Sequence, residues 1–129
     1  QGMETLYLDT HAAVWLYSGR IDLFPARTRR RLDENEIVVS PMVLLELQFL
    51  REAGKVDLKV DRFVQDMHSE LGLRICEAPF ASVAMAATRI SWTRDPFDRL
   101  IVAQAAVGEA GLITHDRVIL EHYRRAEWD

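Results

Sequence analysis

Four short apolar, β-branched runs punctuate this chain: Thr5–Leu8, Glu36–Val39, Leu73–Cys76 and Leu112–Thr114. Between them lie stretches whose apolar residues recur at helical spacing. Parallel strands cannot be joined by tight turns and need a crossover, usually a helix, so this alternation directs the chain to an α/β architecture. We expect a three-layer α/β/α sandwich with a central, mostly parallel sheet of four to five strands. The helical signals are specific. Thr10 to Tyr17 carries Ala13, Leu16 and Tyr17 at core spacing, and Pro25 opens a helix bearing Arg27, Arg29, Arg30 and Arg31. Ser40-Pro41 places an N-cap serine before a first-turn proline, and that helix reaches about Ala53, where Gly54 closes it. Val60 to Leu71 follows and is stopped by Gly72. Phe80 to Ile90 is an alanine-rich helix, and Asp95-Pro96 starts another that runs to Ala110, with Gly111 read as its stop. Val118 to Arg124 reads as a last helical turn or two, and the tail is expected to add an edge strand.

The chain has 129 residues, which suits one domain with one core. Gln1 and Gly2 read as the remnant of an expression tag, leaving residues 3–129 as the domain. No signal peptide is expected, because Asp9 and His11 break the first apolar run. No stretch reaches the roughly 20 apolar residues of a membrane helix. The single cysteine, Cys76, excludes an internal disulfide framework and a Cys-rich zinc site. Its apolar surroundings suggest a reduced core thiol, and a cytoplasmic location fits. The net charge of −4 argues against general electrostatic attachment to nucleic acid, since phosphate affinity comes mainly from lysine and arginine.

Four acids stand out by position. Asp9 directly follows the first strand and Asp116 comes just after the fourth, in Thr114-His115-Asp116. The carboxyl ends of parallel strands are where open α/β sheets bind their ligands. Each acid also has an ordinary explanation. Asp9, Asp95 and Asp116 suit helix N-caps, and Asp98 would sit in a first turn where the helix dipole favours a carboxylate. Glu46 is harder to explain so, because its helical neighbours are Met42, Val43, Phe49 and Leu50. Asp98 likewise shares a face with Ile101, Val102 and Ala105. An ionised carboxylate in apolar surroundings needs a cation, a hydrogen-bond network or a proton. Clustered carboxylates without Cys or paired His select a hard ion, Mg²⁺ or Mn²⁺. Such ions clamp the attacking and leaving oxygens of a phosphodiester, and their local charge removes the need for a basic protein.

Taken together, YLDTHAAVW, SPMVLLEL, DPFDRLIVAQA and LITHD resemble the PIN domain, and more closely the VapC-type ribonuclease toxins of bacterial toxin–antitoxin pairs. The resemblance covers nearly all of Met3 to Asp129, and DPFDRLIVAQA is its most specific segment. It implies a Mg²⁺- or Mn²⁺-dependent endoribonuclease acting on RNA, forming a homodimer and silenced by a cognate antitoxin. Asp9, Glu46, Asp98 and Asp116 match the family's catalytic, metal-holding acids in order, with Asp95 an alternative third. Thr10 and Thr114 match the hydroxyl positions beside the first and fourth. It also implies products with a 5′-phosphate and a 3′-hydroxyl.

Other residues admit two readings. Arg94 and Arg99 flank the third acid and suit either RNA phosphates or a solvated helix end. The Arg27 to Arg31 cluster suits a solvated face, RNA or an acidic antitoxin segment. His11 and His115 adjoin site acids but lack the helical pairing of a zinc site. Trp15 and Trp92 read as core or dimer-interface residues, and Phe80, Val83 and Ala87 as a core stripe. A phospho-accepting receiver domain would need paired acids after the first strand and a lysine near the last, and neither is present. The remaining alternative is a catalytically inactive PIN-like module that only binds a protein partner.

Overall fold

A computed structural model describes residues 3–129; Gln1 and Gly2, read as a tag remnant, lie outside the described residues. Its centre is a five-stranded sheet in the order β3-β2-β1-β4-β5, and every pairing is parallel. The strands are β1 (Thr5–Leu8), β2 (Glu36–Val39), β3 (Arg74–Ile75), β4 (Gly111–Ile113) and β5 (Ala126–Glu127). The helices are α1 (Thr10–Tyr17), α2 (Ala26–Glu34), α3 (Pro41–Glu52), α4 (Val60–Leu71), α5 (Phe80–Ala87), α6 (Pro96–Val107) and α7 (Arg117–His122).

Successive strand residues point to opposite faces, so a run buried at every position has both faces covered. Leu6, Tyr7 and Leu8 of β1 and Ile37, Val38 and Val39 of β2 are all buried, as are Leu112 and Ile113 of β4. That requires helices on both sides of the sheet, which is the three-layer sandwich. α6 is enclosed on nearly every side. Ile101, Val102 and Ala105 join the main core, whereas Ala103 packs with Val83 and Ala87 of α5.

Boundaries follow local chemistry where it is strong. Ser40 caps α3 by accepting from the Met42 amide, with Pro41 in the first turn. Gly72 ends α4 in the left-handed region at φ 70°. Three expectations needed correction. α5 ends at Ala87 rather than Ile90, and Phe80 at its start is 64% exposed, so it does not belong to a core stripe. The third strand contracts to two residues. Gly111 is no helix stop: α6 ends at Val107 rather than Ala110, and Gly111 is the first residue of β4. A Cβ there would lie 2.9 Å from Leu6 Cδ2 and 3.0 Å from Glu127 Oε2, so any larger residue would oblige the ends of those two side chains to shift.

The strand order explains where a ligand would go. From β1 the chain moves outward through β2 to β3, then returns across the sheet to β4 and β5. The reversal opens a crevice at the carboxyl ends of β1 and β4.

Candidate active site

At that crevice lies a cleft of about 360 Å³ lined by Asp9, Thr10, His11, Trp15, Glu46, Asp95, Asp98, Ile101, His115 and Asp116. Parallel register sets Leu8 beside Ile113, and the Asp9 amide donates to the Ile113 carbonyl at 3.1 Å. Asp9 and Thr114 therefore leave adjacent strands side by side. Asp9 is only 7% exposed. It caps α1, accepting from the Ala12 amide through Oδ1 at 2.9 Å, while Oδ2 accepts from the buried Thr114 hydroxyl. Thr114 Oγ1 accepts in turn from the Asp116 amide at 3.0 Å. Asp116 is exposed and caps α7 through the Ile119 amide at 3.0 Å.

The other wall comes from α3 and α6. Glu46 is half-buried, and its Oε1 accepts from the Thr10 hydroxyl. Asp95 caps α6, accepting from the amides of Phe97 and Asp98 at 2.8 and 3.2 Å. Asp98, in the first turn, is half-buried at the cleft. The cap readings and the cluster reading thus describe the same residues: capping is what orients these acids toward one space.

Electrostatics show how little positive charge the cleft contains. Among the described residues, none of the five carboxylates belongs to an ion pair. Burial, followed by the charges of Asp95, Asp116, Glu46 and Asp9, pushes the Asp98 carboxyl up to about 7. Burial also raises Asp9, opposed by the hydrogen bonds from Thr114 and Ala12. The sequence pattern had made Glu46 the acid least easily explained as a cap. The tertiary structure shifts that weight, because Asp9 is the buried acid and Asp98 the one most perturbed by its neighbours.

These residues fit a divalent ion in their chemistry: hard oxygen donors with uncompensated charge around one space. Among the described residues, no three His, Cys, Asp or Glu side chains stand close enough to grip one ion together. The fit is therefore to an ion that keeps part of its water shell, as magnesium does, rather than to a preformed cage.

The arginines part company. Arg94 is exposed near the cleft, but Arg99 is half-buried and donates from Nε to the Thr93 carbonyl at 2.7 Å, bracing the approach to α6. Arg27 pairs with Asp129, and Arg31 pairs with Glu4 and Glu127. Those two clamp α2 to the sheet, leaving only Arg29 and Arg30 of that cluster outside the ion pairs of the described residues. Cys76 is a free, half-buried thiol whose Sγ accepts from the Tyr7 hydroxyl and from Gln104 Nε2, both at 3.1 Å. Trp15 was read only as core or interface; it lines the cleft, and its position four residues after His11 on α1 was the available signal.

A sheet of this order, carrying acids at the ends of its first and fourth strands, defines a PIN-type α/β fold. The PIN domain family model matches residues 6–125, and the chain belongs to that family. It is 28% identical over 122 residues to Ribonuclease VapC22 of Mycobacterium tuberculosis (strain ATCC 25618 / H37Rv), covering 93% of each chain. Two solved structures share the fold. VapBC2 from Rickettsia felis, bound to a DNA fragment from its promoter, aligns with TM-score 0.69 at 20% identity, covering 97% of this chain and 99% of that one. VapBC-1 from nontypeable Haemophilus influenzae aligns with TM-score 0.63 at 17% identity, covering 97% and 96%. No helix among the described residues is long and apolar enough to cross a membrane.

Proposed function

We propose that residues 3–129 act as one nuclease domain: a Mg²⁺- or Mn²⁺-dependent endoribonuclease, the toxin of a cytoplasmic toxin–antitoxin pair. The observation that carries this reading is the uncompensated acid cluster at the carboxyl ends of β1 and β4, where burial, and after it the neighbouring carboxylates, push Asp98 up to about 7. The likeness to Ribonuclease VapC22 supports the reaction class, and the likeness to two VapBC proteins supports an antitoxin partner.

Bound divalent ions would supply charge at the scissile phosphate and lower the pKa of an attacking water. The chain's own residues do the positioning. Asp9 is held by the Ala12 amide and the Thr114 hydroxyl. Glu46 is oriented by Thr10, and Asp98 faces them from the first turn of α6. In this reading Asp9, Glu46 and Asp98 would surround the principal ion and hold it partly through its retained waters, and Asp116, anchored by its cap, would hold a second ion or orient water. In-line attack of water on phosphorus breaks the bond to the 3′ oxygen, which leaves as a 3′-hydroxyl and yields a 5′-phosphate.

A homodimer belongs to the same proposal. The exposed Leu45 and Phe49 on α3, with Phe49 packed edge-on against Phe97, supply apolar surface suited to a partner. Size in solution tests it, and a short reading frame upstream encoding a DNA-binding protein tests the antitoxin. The enzyme claim is tested on total RNA with Mn²⁺ and with EDTA, using Asp9→Asn as control. Cleavage that survives EDTA, or that the variant retains, defeats the proposal. Absence of cleavage together with a melting temperature indifferent to Mg²⁺ and Mn²⁺ would instead favour the inactive binding module.

A further inference from the structure

The cleft carries rings as well as acids. α3 and α6 contribute the acids Glu46, Asp95 and Asp98 and no ring, whereas α1 and the loop after β4 contribute His11, Trp15 and His115 beside Asp9 and Asp116. These three rings form one group. Trp15 meets His11 at 6.3 Å between centroids and His115 at 5.7 Å, and Trp128 sits edge-on behind both Trp15 and His115 at 5.7 and 5.3 Å. Every one of these contacts is tilted or edge-on. Among the described residues, none of His11, Trp15 and His115 has a ring stacked face to face on it. The contrast is Trp92, whose face is covered by His122 at 4.9 Å with an 11° angle between planes. His11 and His115 are both exposed, and Trp15 is held half-buried by Trp128.

Exposed imidazoles packed on a tryptophan beside an acid cluster have a specific use if a phosphodiester is drawn to the acids. The base attached to that nucleotide falls within the same small space. A cleft of about 360 Å³ lies at the lower end of small-ligand sites, with room for one nucleotide and none for a duplex. Unstacked bases of single-stranded RNA are commonly held on aromatic or imidazole rings. We infer that His11, Trp15 and His115 form a seat for one nucleobase next to the scissile phosphate. This rests on the ribonuclease reading above and adds the residues that hold the base.

The test measures anisotropy of a short fluorescein-labelled single-stranded RNA with the full chain in Mn²⁺, the scissile bond replaced by a non-hydrolysable methylenephosphonate so that the acids and their ion stay intact. His115→Ala and His11→Ala should each weaken binding about 5- to 150-fold, the range of one base–aromatic stack. His115→Phe should restore it, which a charge role would not allow. An abasic nucleotide beside the cut should weaken binding to the parent by a similar factor, yet barely affect the His115→Ala protein. Equal affinity for a fully paired duplex, or abasic and His115→Ala losses that simply add, overturns the seat while leaving the ribonuclease reading standing. If the chain neither binds nor cuts any RNA, both fall.

Discussion

Asp98→Asn should stabilise the metal-free protein, and the gain should follow pH in a particular way. An unperturbed Asp titrates at 3.8, but burial and four neighbouring carboxylates lift Asp98 to about 7 in the folded chain. Between these values the folded state holds a proton that the unfolded state has lost, so stability falls as pH rises through this window. The penalty is absent below about pH 4, grows to about pH 7 and is constant above. Taken whole, the gap corresponds to about 4 kcal/mol. Asp98 is only half-buried and borders an open cleft, so solvent screening reduces this to about 1–2 kcal/mol. Removing a carboxylate from the first turn of α6 forfeits about 0.3–1 kcal/mol of helix-dipole stabilisation, which works against the gain. The net effect at pH 8 in EDTA, about 0–1.7 kcal/mol, should raise the melting temperature by up to about 6 °C, shrinking toward zero near pH 4. Differential scanning fluorimetry of both proteins across this range reads it directly. A variant that melts below the parent at pH 8, or a difference independent of pH, would refute the idea that uncompensated charge is concentrated in this cleft.

Other perturbations separate site from scaffold. Saturating Mg²⁺ or Mn²⁺ should raise the parent's melting temperature at pH 8 more than at pH 6, since ion uptake displaces the Asp98 proton, and should scarcely move Asp98→Asn. Asp9→Asn should abolish RNA cleavage with a smaller stability gain than Asp98→Asn. Its amide would present N–H to Thr114, whose buried hydroxyl would lose its acceptor; circular dichroism and melting decide this. Gly111→Ala should cost about 1 kcal/mol, because the buried Leu6 side chain and the Glu127 carboxylate must both give way; a denaturant midpoint equal to the parent's would show that they shift freely. Arg31→Ala should destabilise by about 1–2 kcal/mol, with most of the loss recovered in the Arg31→Ala/Glu127→Gln pair, since it leaves Glu127, 16% exposed, without its cation.

Much of the fold was legible because its signals are local. β1, α1, β2 and α4 fall at the boundaries that strand runs, cap residues and a terminal glycine predict. Asp9, Asp95 and Asp116 were readable as caps for the same reason, and all three do cap helices. Gly111 was misread because a glycine after a helix and a glycine at a tight strand crossing look alike along the chain. Only Leu6 and Glu127, distant in sequence, distinguish them. Arg27 and Arg31 read as part of a charged surface because their partners, Asp129, Glu4 and Glu127, arrive from the two ends of the chain.

By itself, the sequence determined the order of strands and helices, the parallel character of the sheet and the identity of the acids worth watching. Those follow from periodicity, capping chemistry and the crossovers that parallel strands require. Which acid is buried and which is most perturbed by its neighbours was decided only in three dimensions. Burial and the summed field of other charges depend on distances between residues far apart in the chain. Asp98 is perturbed by Asp9, Glu46 and Asp116 only because the sheet reverses direction between β1 and β4. The same reversal brings His11 and Trp15 of α1 beside His115 after β4, a juxtaposition that no local pattern along the chain encodes.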